Sequence, residues 1–147
     1  MEQLVKTIKI LLRYLYVIQP SVEIIQDDNV DLVTLVIRDH LRKSLFIDDP
    51  NVAAAFSIVV REVIEKNKIT TTVVVDYDGS KLKTIKETKD KALIARQRVL
   101  HYGKPYTFLS LNAFERFLIH QYLSLYEDII TKSFGEKNDR ILVVSKK

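Results

Sequence analysis

The sequence predicts an α+β protein made of two small α/β sandwich domains, α-β-β-α-α-β over residues 1–78 and α-β-α-β-β over residues 79–147. Three observations lead there. Segments with apolar residues at helical spacing alternate with short β-branched runs, so helices and strands are interleaved along the chain. The 147 residues are 47% hydrophobic and 29% charged, with only three Gly and three Pro; this is a globular composition, enough to bury a sizeable core. Charge divides the chain: residues 1–77 hold nine Lys/Arg against eleven Asp/Glu, and residues 78–147 hold fourteen against eight. The surplus of cations makes the second half the expected home of an anionic partner.

Leu4, Ile8, Leu11, Leu12 and Leu15 recur at helical spacing, which predicts an amphipathic helix over 2–16 with Lys6, Lys9 and Arg13 outward and Pro20 ending it. Val22–Gln26 and Leu32–Ile37 are β-branched runs joined by Asp27-Asp28-Asn29, a hairpin pattern. A short helix is expected over Asp39–Leu45. Asp49-Pro50 is a helix start, since the carboxylate can cap free amides and proline at the first helical position gives up no needed donor. Val52, Ala55, Phe56, Val59, Val60, Val63 and Ile64 then predict the most regular core helix of the chain. Ile69–Asp76 reads as a buried strand.

Asp78-Gly79-Ser80 is expected to turn and cap a long helix lined by Leu82, Ile85, Ala92, Leu93, Val99 and Leu100, closed by Gly103 and Pro105. Tyr106–Leu109 reads as a strand, Asn112 and Glu115 as a capping box, and Asp128–Phe134 with Arg140–Val144 as a terminal hairpin. No repeat and no flexible linker separates the halves.

Several function classes are excluded. Cysteine is lacking, which removes disulfides, thiolate metal sites and thiol nucleophiles and suits a cytoplasmic setting. No apolar run approaches the roughly 20 residues of a membrane-spanning helix, and Glu2, Lys6, Lys9 and Arg13 interrupt the first apolar segment, so neither a transmembrane segment nor a signal peptide is expected. His40, His101 and His120 lack metal-ligand spacing. No glycine-rich phosphate loop and no Ser-His-Asp set is suggested, so no enzyme, cofactor or metal is expected.

What remains points to an anion binder. Lys81, Lys83, Lys86, Lys89, Lys91, Arg96, Arg98 and Lys104 face only Glu87 and Asp90 in the same stretch, a track for phosphates, and Tyr102, Tyr106 and Phe108 just beyond it could stack on bases. Arg116 and His120 stand four residues apart, on one helix face, so a fixed cation and a titratable ring can grip one ligand.

Val73-Val74-Val75-Asp76-Tyr77-Asp78-Gly79 leading into the basic helix, Gly103-Lys104-Pro105, the run from Asn112 to His120, and Thr131-Lys132-Ser133-Phe134-Gly135-Glu136 together resemble the bacterial Jag/KhpB (SpoIIIJ-associated) proteins. In that family a KH domain precedes a small domain named for its Arg-xxx-His motif, the R-3-H domain. The resemblance covers nearly the whole chain and implies binding of single-stranded RNA or DNA, with RNA favoured, in post-transcriptional regulation. It makes Arg116 and His120 the named pair: Arg116 donating to phosphate, and His120 stacking on a base or, when protonated, donating to the same phosphate. Lys132 and Ser133 would add contacts, beside Lys89, Lys91, Arg96, Arg98 and Lys104.

The KH half departs from the family at its functional loop. Where a Gly-x-x-Gly loop would bring backbone amides to the nucleic-acid backbone, this chain reads Asp48-Asp49-Pro50-Asn51. Two carboxylates repel phosphate, and proline and the cap withdraw amide donors. This half is therefore expected to bind nucleic acid weakly or not at all. A second function class follows: a protein-interaction adaptor whose partners, by analogy with the family's links to cell-envelope growth, include a KH-only protein and a membrane insertase.

Overall fold

The computed structural model describes residues 2–17, 19–27, 29–39, 45–77, 79–136 and 139–147. The chain forms two compact units, residues 1–82 and 83–147.

In the first unit, α1 (Glu2–Tyr14) precedes a hairpin of β1 (Pro20–Asp27) and β2 (Leu32–Asp39), followed by α2 (Leu45–Asp48), α3 (Pro50–Lys66) and β3 (Thr72–Tyr77). The strands make one sheet in the order β1-β2-β3. β1 runs antiparallel to β2, from Pro20 opposite Asp39 to Asp27 opposite Leu32. β3 runs parallel to β2, from Leu32 opposite Thr72 to Ile37 opposite Tyr77, and a parallel return requires the crossover that α2 and α3 supply. The helix predicted over Asp39–Leu45 falls mostly outside the described residues, and its two ends belong to β2 and α2.

The core of this unit is made by Leu4, Ile8 and Leu12 of α1, Val33, Leu35 and Ile37 of β2, and Phe46, Phe56 and Val60. Each such side chain contributes on the order of 1.5–3 kcal/mol by leaving water. Tyr77 stacks on Phe46 with centroids 4.5 Å apart, and its hydroxyl donates to Ala53 O at 3.1 Å. Burial raises the Tyr77 pKa, opposed by the hydrogen bond with Ser57.

Two expectations are corrected here. α1 stops at Tyr14, two residues short of the expected end, and Pro20, expected to end it, is instead the first residue of β1. Tyr16 takes the left-handed conformation (φ 59°), its N–H donates to Arg13 O at 3.0 Å and the Val17 N–H donates to Leu12 O at 3.1 Å. That pairing satisfies the last carbonyls and stops the helix. Lys68 (φ 54°) closes α3 in the same way. The regular stripe of α3 is also wider than what the core takes up: Phe56 and Val60 are buried, whereas Ala55 and Val59 are exposed.

In the second unit, α4 (Ser80–Tyr102, which starts in the first) leads to β4 (Tyr106–Phe108), α5 (Ala113–Ser124), β5 (Ile129–Phe134) and β6 (Ile141–Lys146). This is the α-β-α-β-β order, and the sheet is antiparallel in the order β4-β6-β5. The core takes Ile85, Thr88, Ala92, Ala95 and Val99 from α4, spaced alternately three and four residues apart on one face. Leu118, Ile119, Tyr122 and Leu123 come from α5, and Ile129, Leu142 and Val144 from the sheet. Leu100, expected in that stripe, is exposed, while Thr88 and Ala95 take places that hydrophobicity alone does not reveal.

The division between units lies a few residues past the expected 78/79 boundary, in the first turn of α4. Asp76, at the end of β3 and fully buried, accepts the Lys81 N–H at 2.9 Å and the Leu82 N–H at 2.8 Å. The first turn of α4 is thus tied to the strand before it, and Asp76 caps amides for which the sequence offered only the Asp78-Gly79-Ser80 stretch, whose first residue lies outside the described residues.

Candidate nucleic-acid interface

Asn112 starts α5 with both halves of a capping box: its side chain accepts the Glu115 N–H at 2.9 Å, and Glu115 Oε2 accepts the Asn112 N–H at 3.0 Å. This fixes the helix start and hence the face on which Arg116 and His120 sit. Arg116 is half-buried and donates from Nη1 to Leu111 O, so the guanidinium braces the chain entering the helix.

The His120 ring lies over the inner face of β5. Its Nδ1 is 2.6 Å from Thr131 Oγ1 and its Nε2 is 3.0 Å from Ser133 Oγ. Both ring nitrogens are taken by hydroxyls. Burial lowers the His120 pKa first, and the charges of Arg140 and then Arg116 lower it further. The ring is therefore neutral at pH 7, donating through one nitrogen and accepting through the other.

This changes the role expected for His120 and Ser133. A ring clamped between two hydroxyls, beside two guanidinium groups, positions β5 against α5 rather than offering a protonated donor to phosphate. Arg140 was missed by the sequence reading: it is exposed and precedes β6, and the hairpin pairing of Phe134 with Ile141 brings it back toward the His120 ring. Gly135 at the hairpin tip is required, since a Cβ there would lie 2.7 Å from Asp139 O at a φ of +87°.

The basic helix is less free than its composition implied. Lys91 pairs with Glu115 at 3.4 Å, Lys83 with Glu87 at 3.9 Å, and Arg96 with Asp128 through two hydrogen bonds, Nε to Oδ1 at 3.1 Å and Nη2 to Oδ2 at 2.5 Å. Arg96 also covers the Tyr126 ring at 4.1 Å and Lys89 the Tyr122 ring at 5.3 Å. The Arg96 partnership holds the Asp128 carboxyl below its usual range. Lys91 thus joins α4 to α5, and Arg96 joins α4 to the residue before β5, so the charges of both are partly engaged within the domain. Arg98, Lys104, Lys132 and Arg140 are exposed, and among the described residues none has a carboxylate partner.

A pH dependence follows. Because the folded-state pKa of His120 is below that of the unfolded chain, the unfolded chain binds more protons between the two values. The stability that His120 contributes is complete above about pH 6.5 and is lost as pH falls through the lowered folded value. Urea midpoints measured across this range should fall with acidity, and His120→Gln, which keeps a donor and an acceptor, should flatten that slope. Asp128 shows the same sign at lower pH, below its ordinary carboxylate value.

Among the described residues, no group of three or more His, Cys, Asp or Glu side chains could hold a metal ion, and no helix is long and apolar enough to cross a membrane. No curated protein matches the chain. Residues 86–146 match the family of Arg-xxx-His (R-3-H) domains, and such domains generally bind single-stranded nucleic acid. The α-β-α-β-β unit that carries Arg116 and His120 is an R-3-H domain.

Proposed function

We propose that the protein is a sequence-tolerant binder of single-stranded nucleic acid, RNA rather than DNA, acting in post-transcriptional regulation in the cytoplasm, and that it is of the Jag/KhpB type. One feature carries this reading: within the R-3-H domain His120 is held by two hydroxyls, and the charges of Arg140 and Arg116 act on its ring together with burial to lower its pKa. Two guanidinium groups beside a rigid hydroxyl-imidazole cluster give phosphate fixed donors without a competing carboxylate in that cluster. Lys132 and Lys104 extend the positive surface, and base identity is not read by any of these groups.

The first unit is proposed as a KH-like support. Its element order, α-β-β-α-α-β, suits that reading. A single residue, Asp49, separates α2 from α3, and its carboxylate accepts the Asn51 N–H at 2.9 Å. An amide engaged in this way is withdrawn from a ligand, and the negative cap repels phosphate.

The test is a titration of a labelled single-stranded RNA by fluorescence anisotropy over a series of salt concentrations. With three or four phosphates neutralised, the slope of log affinity against log salt is about −2 to −3. Salt-independent binding, or no binding at low salt, overturns the proposal. Failure to bind would favour the adaptor reading, for which there is one supporting observation: Leu11, Leu15, Val52, Ala55 and Val59 line an apolar groove of about 310 Å³ between α1 and α3.

A further inference from the structure

The end of α4 and the start of β4 form a second cleft, of about 360 Å³, lined by Arg98, Tyr102, Lys104, Pro105 and Tyr106. It shares no residue with the Arg116/His120 cluster. Its shape follows from the way the helix stops. Gly103 is left-handed (φ 66°) and its N–H donates to Val99 O at 2.9 Å, closing α4; Pro105 then directs the chain into β4. Nothing lies within 4 Å of where a Cβ on Gly103 would be, so the corner is open to solvent.

Three features of this cleft go together. Tyr102 is 68% exposed, with only the edge of His101 against its ring, at 4.7 Å between centroids; the core gains little from it. Tyr106 is fixed edge-on by Phe108 at 4.9 Å, and Arg98 stands over its ring at 5.6 Å. The two cations of the lining meet no acid there. An available aromatic face beside unpaired cations is the arrangement by which proteins hold unstacked bases, the ring taking the base and the cations its phosphates. A volume near the lower end of the roughly 300–1,000 Å³ seen for small-ligand pockets suits one nucleotide.

We propose that this cleft holds one unpaired nucleobase, stacked on Tyr102, with Arg98 and Lys104 facing the adjoining phosphates. The inference rests on the single-strand reading above and adds a second point of attachment. Such a cleft would disfavour duplex, whose bases keep both faces covered by their neighbours.

The experiment compares wild-type protein, Tyr102→Ala and Tyr102→Phe in anisotropy titrations with a labelled single-stranded RNA and an abasic strand of equal length. Because Tyr102 is exposed, both variants should melt like the wild type by circular dichroism. Tyr102→Ala should bind the RNA about tenfold more weakly with an unchanged salt slope, and Tyr102→Phe should bind like the wild type, since the ring face and not the hydroxyl is used. The preference of the wild type for RNA over the abasic strand should shrink in Tyr102→Ala. RNA binding by Tyr102→Ala equal to that of the wild type overturns the cleft assignment alone. A wild-type protein that binds neither strand overturns the cleft and the single-strand reading together.

Discussion

Replacing Asp76 by alanine should destabilise the first unit by about 3 kcal/mol, the largest stability effect expected of any single polar substitution in the chain. The carboxylate is fully buried and each of its oxygens accepts a backbone amide, Lys81 N–H and Leu82 N–H, with the Ser80 hydroxyl at 3.4 Å as a weaker third donor. These are two of the four amides that a helix start leaves without an internal partner. Alanine removes charge-assisted bonds and strands both amides where water reaches poorly, and each stranded donor costs on the order of 1–3 kcal/mol. An asparagine side chain has one acceptor oxygen and could take only one of the two amides, so Asp76→Asn should fall between the wild type and alanine. Urea denaturation followed by far-ultraviolet circular dichroism would measure this; an unchanged midpoint in Asp76→Ala would show that the strand and α4 are not joined through this side chain.

Sequence reading succeeded where the interaction spans a few residues. The Asp49-Pro50 start and the Asn112/Glu115 box were legible because cap and partner are two or three positions apart, and the chemistry of each pair is the same in any fold. The order of elements was legible for the same reason, since periodicity is local. It failed where partners are distant. Arg96 finds Asp128 and Lys91 finds Glu115 across gaps of 32 and 24 residues, so two cations that looked free along α4 are engaged. Arg140 was overlooked because only the register of the β5–β6 hairpin sets it near His120. In α3 the apolar pattern is helical as read, yet Val59 of that stripe remains 43% exposed; hydrophobicity says which side chains could be buried, not how much partner surface the fold supplies.

The same corrections narrow the binding surface to a few testable groups. Arg116 lies on α5 and Arg140 just before β6, the charges of both act on His120, and nothing acidic among the described residues pairs with either. Each can donate charge-assisted hydrogen bonds to phosphate, worth roughly 1.5–3 kcal/mol apiece. Replacing both by alanine should therefore weaken binding of single-stranded RNA by about a hundredfold and reduce the magnitude of the salt slope by about 1–2. Replacing Lys91 and Arg96 instead should act mainly on stability, because their charges are spent on Glu115 and Asp128. Arg116 also braces Leu111, so folding of the double variant must be checked by its thermal melt, and Arg140→Ala alone, at an exposed position, should show about half of the logarithmic loss.

The comparison of wild type with Arg116→Ala/Arg140→Ala in RNA titrations at several salt concentrations tests the assignment of the binding face most directly. The expected result is a folded double variant with affinity lower by about two orders of magnitude and a shallower salt dependence. A folded double variant with wild-type affinity and slope would contradict it and place any nucleic-acid contact elsewhere on the protein.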